Sequence, residues 1–517
     1  MVTITVYDGA ENIGGNKIYV EEGGRGVFLD FGKNFAKYGR FYEEYLKNRT
    51  TRGIHDLLHL RLIPPLPIYR SDLIPPDVSL PRSPPLSVTA ILLSHAHLDH
   101  CGNLGLLDRT IPVVATPMSI AILKAMQDVG KSATESDAAY ISERRPLAHD
   151  PLYLEADKSP YIGKRFLCTS SPSDDLLHFL SRRPGQDGPR AKKLEPGPCT
   201  PFNDEHMPFA ISAHEVDHSI YGACAYLLRG EMTIAYTGDF RLHGRREEKT
   251  RDFVSNARDA SILLTEGTRV GGEGTTESTR VTEEQVYETC RGALDGAKGL
   301  VIADFSARNF ERLALFQRIA HTTGRDLVVT AKDLYLLHAL SSVDPARRWD
   351  SLLVYDEVVN HRDRKWETEV VQPLASDRYI SHSTIHDDPD RFLLCFSLYD
   401  MNHLLDIKPN GGTYLYSSCE PFNEEMEIDF RRLMAWLTFF RIAPLGFKMG
   451  WNAYGDLTPV MERGFHASGH VSGDDLRWVI DHIDPDYLIP IHTEAKWWFK
   501  GQFEQVIDLK DGESVAF

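Results

Sequence analysis

The feature that most constrains this chain is the run His95-Ala96-His97-Leu98-Asp99-His100, which packs four metal-binding side chains into six residues directly behind an apolar strand, Val88–Leu93. The end of a strand sends alternate side chains to opposite sides, so His95 and His97 can serve one cation while Asp99 and His100, past the turn, reach a second. Imidazole and carboxylate donors suit zinc first and manganese second. The pattern predicts a two-metal hydrolase, provided that more ligands come from elsewhere in the chain.

They are available. His218 lies in Glu215-Val216-Asp217-His218-Ser219-Ile220, between the apolar stretch Phe209–Ser212 and a strand Ala223–Leu228. It offers one more imidazole, with His206 and His214 close by, and position alone does not choose among them. Asp239 follows the strand Thr233–Tyr236 in Thr237-Gly238-Asp239-Phe240, where small residues let the backbone turn sharply and present a carboxylate able to bridge two ions. His492 closes the apolar run Leu488–Ile491, again at a strand's C-terminal end, where α/β sheets place their sites.

At 517 residues the chain exceeds one hydrophobic core, so two domains are expected. The net charge of −17 repels polyanions at long range and argues against a protein that coats duplex DNA. Cations and a local basic lining can still reverse the potential inside a cleft, and Arg241, Arg245, Arg246, Arg308 and Arg312 are candidates for that lining. Seven cysteines without a CxxC pair fit neither a disulfide framework nor a thiolate zinc site, so Cys101 and Cys419, beside motif residues, read as packing. The first residues enter a strand with no basic leader, and no apolar run approaches the roughly 18 residues of a membrane span. A soluble, cytoplasmic protein with no membrane partner is expected.

The chain opens as a β-meander, Thr3–Tyr7, Lys17–Glu21 and Gly26–Asp30. A stretch rich in Pro and aromatics follows, with Pro64-Pro65, Pro75-Pro76 and Pro84-Pro85, and reads as an insert covering one face, a lid or an interaction surface. A second irregular stretch, Leu147–Pro208, reads as mobile, and its basic run from Arg182 to Lys193 as a solvated loop before a contact to a nucleic-acid strand. From Gly272 to Gly464, helices such as Glu283–Asp295 and Phe310–His321 alternate with strands Leu300–Asp304, Leu327–Ala331, Leu352–Tyr355, Phe392–Phe396 and Thr413–Ser417. That alternation predicts a parallel α/β domain.

Taken together, these residues resemble the metallo-β-lactamase superfamily and, within it, the β-CASP nuclease group. The superfamily motifs map onto Asp30, the His95–His100 run, His218, Asp239 and His492. The β-CASP additions resemble Glu266 in Leu264-Thr265-Glu266-Gly267-Thr268, His470 in His466-Ala467-Ser468-Gly469-His470, and His492 itself, 22 residues on. Ser417-Ser418-Cys419-Glu420-Pro421-Phe422-Asn423-Glu424 and Ser468-Gly469-His470-Val471-Ser472 are most similar to the ribonuclease J family.

The resemblance implies an α/β fold, a four-layer αβ/βα sandwich built from residues 1–271 and 465–517, with inserts near 33–87 and 147–208, interrupted by a β-CASP domain over 272–464. It implies two divalent ions, one on His95, His97, His218 and Asp239, the other on Asp99, His100, Asp239 and His492, with Asp30 holding an imidazole from behind. The implied catalytic residues are Asp99, Asp239, Glu266 and His470, with His470 as general acid oriented by Glu266. Ser417, Ser418, Asn423, Ser468 and Ser472 are implied to bind phosphate.

The implied function is a metal-dependent ribonuclease on single-stranded RNA, working 5′ to 3′ as an exonuclease with endonuclease action beside it. The rivals are a β-CASP nuclease acting on DNA and a noncatalytic RNA-binding subunit, the latter opposed by the filled ligand positions. A second copy of the chain is a further candidate partner. Only 25 residues follow His492, so the separate C-terminal domain of bacterial ribonuclease J is not expected here.

Overall fold

The structure, a computed structural model, describes the chain except for residues 44, 82–85, 131–133, 272–280, 307, 347–348, 350, 419–423 and 453–454, and the side chains of 362 and 424–427. Three large sheets organise the described residues. The first has eight strands in the order Cys199–Pro201, Phe166–Cys168, Val113–Ala115, Val88–Leu92, Arg25–Leu29, Lys17–Glu22, Val2–Asp8 and Glu513–Ala516. Its N-terminal strands form the expected antiparallel meander, and the strands from Arg25–Leu29 to Cys199–Pro201 are parallel. The strand Glu513–Ala516 pairs with Val2–Asp8, Thr3 opposite Ala516.

The second sheet runs Ala210–Glu215, Cys224–Arg229, Thr233–Tyr236, Ile262–Thr265 and Tyr487–Pro490. Strand periodicity decides how the two sheets stack. Val2, Ile4, Val6, Leu29 and Leu92 of the first share a core with Tyr226, Leu228, Ile234, Ile262, Leu264 and Ile489 of the second. On the far side of the first sheet, Ile91, Val113 and Ala115 pack with Ile120 and Leu123 of the helix Pro117–Val129. On the far side of the second, Ala225, Leu227, Leu263 and Leu488 meet Phe253, Val254, Leu476, Val479 and Ile480 of the helices Glu247–Asn256 and Gly473–Ile483. The result is helix, sheet, sheet, helix. Ile262 and Leu264 face inward and Leu263 outward, so the strand is apolar on both faces, as a strand buried on both sides must be.

The third sheet has seven strands, all parallel, in the order Tyr379–Ile380, Leu353–Tyr355, Asp326–Val329, Phe392–Cys395, Leu300–Asp304, Gly412–Tyr416 and Ile442–Leu445. Its helices start on side-chain caps. Thr282 and Thr330 form capping boxes with Gln285 and Asp333, and Asn309 caps Phe310–Thr322.

Both irregular stretches depart from expectation. The Pro-rich segment, expected as an irregular cover, forms short helices, Phe35–Gly39 and His55–His59, and puts Ile54, Leu57, Leu62, Ile63, Ile68 and Tyr69 into the largest core. Arg70, itself buried, ties it down through Asp72 at 2.7 Å and Asp137 at 3.0 Å. Paired prolines forbid regular hydrogen bonding, but they do not forbid burial.

The segment 147–208 contains the helix Asp174–Ser181 and short strands, of which Phe166–Cys168 and Cys199–Pro201 extend the first sheet. Its basic run is partly engaged within the protein, while Arg182, Arg190 and Lys193 stay exposed. Arg182 pairs with Asp187 at 2.5 Å, and Lys192 Nζ donates to Ser142 Oγ at 2.8 Å and to the Asp157 carbonyl at 3.0 Å. Cys101, Cys168, Cys224 and Cys290 are buried free thiols; Cys419 lies outside the described residues. Among the described residues no helix is long and apolar enough to cross a membrane.

Candidate metal centre

Strands of both sandwich sheets end at one edge and deliver the candidate ligands there. After Val88–Leu92 the chain leaves the strand, bends at Ala96 between His95 and His97, and enters a helical turn, Leu98–Cys101, that carries Asp99 and His100. His95 Nε2 lies 3.1 Å from His97 Nδ1, and His218 Nε2 lies 3.2 Å from the same atom. These three imidazoles converge on one point. His214, the rival of His218, instead meets Ser212 Oγ on the strand Ala210–Glu215.

Asp99, His100, Asp239 and His492 form a second convergent group. Asp239 stands between the two: its Oδ2 is 3.1 Å from His100 Nε2 and 3.7 Å from both His95 Nε2 and His492 Nε2. Gly238 at φ +55° makes the turn that aims this carboxylate, with Ser94 packed where a β-carbon would stand. Asp30 and His492 adopt left-handed backbone themselves, at φ 59° and 51°. Strain of this kind at non-glycine residues collects at functional sites.

The polar atoms facing this space lack partners. Asp239 Oδ1 and Oδ2, His100 Nε2 and His492 Nε2 are buried without a hydrogen bond; the 3.1 Å approach of His100 to Asp239 does not have hydrogen-bond geometry. Four orphaned donor atoms aimed at one volume would be costly in a dry core, and they fit divalent cations. Burial and the neighbouring imidazoles hold His95 and His97 well below the ordinary histidine pKa, and burial takes His218 down to about 3, so these three rings offer lone pairs. His100 goes the other way, because Asp239, Asp99 and Asp30 outweigh its burial.

Outer contacts fix the rings. Asp30 Oδ2 accepts from His100 Nδ1 at 2.7 Å, from Ser94 Oγ at 2.7 Å and from the Tyr236 hydroxyl at 2.5 Å. The Gly469 carbonyl takes His218 Nδ1 at 2.6 Å, and His492 Nδ1 stands 3.3 Å from Asn16 Oδ1 and 3.2 Å from the Gly14 amide. Such contacts set tautomer and orientation in metal-binding histidines. Nothing in the sequence marks Tyr236, which reads as one more core residue of an apolar strand, or the backbone of Gly469.

Beside the cluster, His470 Nδ1 meets Glu266 Oε2 at 2.9 Å and lies 3.8 Å from Asp239 Oδ2. Burial opposes the charge on His470, but Glu266 and Asp239 prevail and raise its pKa to about 9. Unlike Asp239, Glu266 is satisfied. Its Oε1 accepts from the Phe240 amide at 2.9 Å and its Oε2 from the Thr268 amide at 3.4 Å as well as from His470.

The expected phosphate-binding residues are dispersed in role. The Ser417 hydroxyl donates to the Phe465 carbonyl at 2.5 Å and receives Arg312, and Ser472 caps the helix Gly473–Ile483 through the Asp475 amide. Both hydroxyls are therefore engaged within the protein. Ser468 Oγ accepts the His470 amide at 3.1 Å, Ser418 is half-buried, and Asn423 lies outside the described residues.

The arginine lining also needs correction. Arg241 is fully buried against Asp217, Glu283 and Glu311, and Arg312 against Glu283. Arg246 pairs with Glu311, and Arg245 approaches Glu284. Two of the five reach the segments that carry the histidines: Arg246 Nη2 donates to the His218 carbonyl at 3.2 Å, and Arg308 Nη1 to the Ala96 carbonyl at 3.2 Å.

Comparison with known proteins agrees with this architecture. Residues 76–262 match the family model described as metallo-beta-lactamase superfamily. Ribonuclease J of Pyrococcus abyssi is 21% identical over 505 residues, which cover 96% of this chain and 90% of the relative. Ribonuclease J of Thermus thermophilus is 22% identical over 295 residues, 56% of this chain and 46% of that protein, so the match spans about half the relative's length. The Sinorhizobium meliloti ribonuclease J is 22% identical, with 82% of this chain and 61% of the relative covered. A crystal structure from Enterococcus faecalis V583, titled only as a protein of unknown function, superposes with a TM-score of 0.67 at 21% identity over 99% of both chains. Residues 76–262 thus match the metallo-beta-lactamase superfamily, within a chain whose similarity to ribonuclease J reaches well beyond them.

Proposed function

We propose that this protein is a hydrolase of the metal-dependent nuclease kind, a ribonuclease that cleaves phosphodiesters of single-stranded RNA, 5′ to 3′ from the end and with some internal cutting. The observation that carries this reading is the buried Asp239 carboxylate, both of whose oxygens lack partners between two converging sets of ligands. His95, His97, His218 and Asp239 would hold one divalent cation, and Asp99, His100, Asp239 and His492 the other, zinc before manganese. When bound, such a pair supplies ionised water near neutral pH and positive charge against a phosphate oxygen.

The remaining work falls to the chain. Asp30 keeps the Nδ1 proton of His100 in place and its Nε2 turned inward. Glu266 holds Nδ1 of His470 and favours its protonated form, so that Nε2 can give a proton to the leaving oxygen. The same reading divides the chain into a hydrolase sandwich, 1–271 with 465–517, and a β-CASP domain, 272–464, that covers the strand. Similarity to proteins named ribonuclease J supports RNA as substrate, and the filled ligand set weighs against a purely binding role.

The test is elemental analysis followed by digestion of 5′-monophosphate RNA, 5′-triphosphate RNA and single-stranded DNA. We expect two bound ions per chain and mononucleotide release fastest from the monophosphate RNA. Loss of DNA with survival of RNA would make it a DNA nuclease. Equal internal cutting of both RNAs would remove the exonuclease direction, and absence of metal would return it to a binding role.

A further inference from the structure

A cation in the cleft is left over by the ligand set. Arg308 stands between the strand Leu300–Asp304 and the helix Phe310–Thr322 of the parallel sheet, yet reaches across to the sandwich. Its Nη1 donates to the carbonyl of Ala96, the residue between His95 and His97, at 3.2 Å, and lies 3.7 Å from Met126 Sδ. Among the described residues no carboxylate comes within ion-pair distance of it, whereas Arg241, Arg246 and Arg312 each have one. Burial lowers its pKa, with Cys101 and then Asp99 opposing, and its charge in turn depresses His97.

A half-buried guanidinium with no anion beside it among the described residues is costly. Here the cost is compounded, because the carboxylate that acts on it, Asp99, also faces the volume where His100, Asp239 and His492 converge. Such an arrangement is balanced when an anion enters. The guanidinium offers five N–H groups in a planar fork matched to phosphate; the Ala96 carbonyl and Met126 Sδ engage Nη1, and among the described residues no hydrogen bond takes Nε or Nη2.

We infer that Arg308 is a substrate-binding residue that grips a nonbridging oxygen of a phosphate flanking the scissile bond in single-stranded RNA. The inference rests on the nuclease reading and deepens it: the strand is held from the parallel sheet while the sandwich carries out the chemistry. It also accounts for how a chain of net charge −17 retains a polyanion, through one charge placed at the centre rather than a basic surface.

The experiment has a binding arm and a cleavage arm, with wild type, Arg308→Ala and Arg308→Lys. Binding of a fluorescein-labelled RNA 12-mer is followed by anisotropy in chelator, across a series of KCl concentrations. We expect Arg308→Ala to weaken binding about tenfold at low salt and to flatten the salt dependence by about 0.7 in log–log slope, the share of one phosphate contact to a single strand. Arg308→Lys keeps the charge without the fork and should lose less. In the cleavage arm, with metal restored, KM should rise for Arg308→Ala while bound metal and melting temperature stay those of wild type.

Unchanged affinity and slope in both variants overturn the inference, as does a loss of binding accompanied by unfolding in Arg308→Ala and no change in Arg308→Lys. A wild type that binds RNA through Arg308 yet cleaves neither RNA nor DNA sinks the nuclease reading and leaves the phosphate contact standing. A wild type that does not bind RNA sinks both.

Discussion

Two clusters of buried charge flank the loop from His466 to Ser472, and they solve the problem of burial in opposite ways. In one, Arg241 and Arg312 meet Asp217, Glu283 and Glu311, and their remaining N–H groups reach the carbonyls of Ser468, Ala467 and Ser417. The other gathers imidazoles around Asp239 and leaves four polar atoms without a partner. A satisfied ionic network belongs to the architecture, here joining the loop that bears His470 to helices of the parallel sheet. An unsatisfied one at the same depth is a receptor, because only an external group can make its burial tolerable.

The sharpest way to break this contrast is Asp239→Ala. Loss of the shared carboxylate should lower turnover by about a thousandfold or more, matching several kcal/mol of charge stabilisation in the transition state, and elemental analysis should show metal lost with it. With both proteins stripped of metal, Asp239→Ala should melt no lower than wild type, since the substitution removes a buried carboxylate whose oxygens accept no hydrogen bond. A large fall in melting temperature would place Asp239 in the architecture instead. Arg241→Met is the mirror experiment. It strands Glu311 and Asp217 in the core, and denaturant unfolding should show a loss of about 3–5 kcal/mol, with metal content per folded molecule unchanged.

The same contrast explains what could be read in the sequence. The ligands were legible because each is a rare residue type at the end of an apolar strand: His95, Asp239 and His492 carry their signal locally. The ionic network was not. Arg241 and Arg312 were read as cleft lining because a sequence shows a charge but not its partner, and Glu283 and Glu311 lie 42 and 70 residues from Arg241.

Contacts to the backbone, such as Gly469 with His218, leave no trace in residue type. Strand length set the other limit. Thr233–Tyr236 and Leu300–Asp304 were found with their bounds intact. Phe166–Cys168 and Cys199–Pro201, of three residues each, are too short to display an alternation.

A third buried acid sharpens the comparison by using neither solution. Asp304, at the end of its strand, accepts the Tyr414 hydroxyl at 2.5 Å and pairs with no cation among the described residues; burial raises its pKa from 3.8 to about 7, so below that pH it sits in the core as the neutral acid. The folded value lies above the unfolded one, so its contribution to stability is complete below pH 3.8 and is lost as the pH rises through about 7. Asp304→Asn should therefore leave stability nearly unchanged at pH 4 and raise it at pH 8 by about 2 kcal/mol, within the roughly 4 kcal/mol that a shift of this size carries at full weight. Unfolding curves at the two pH values decide it. Equal effects at both would mean that the carboxyl is charged throughout.

The finest distinction concerns Glu266. With Asp239 and His470 it forms a third group with the spacing of a cation site, yet both its oxygens already accept hydrogen bonds. If satisfaction separates architecture from receptor, Glu266 holds His470 and no metal. Glu266→Gln keeps the shape and the acceptor oxygen while removing the charge that favours protonated His470. Turnover should drop about tenfold to a hundredfold, the range of a weakened general acid, with both ions retained in elemental analysis and KM little changed. Should one ion leave with the charge, the third group is a cation site after all, and hydrogen bonds already in place would no longer mark where a metal cannot go.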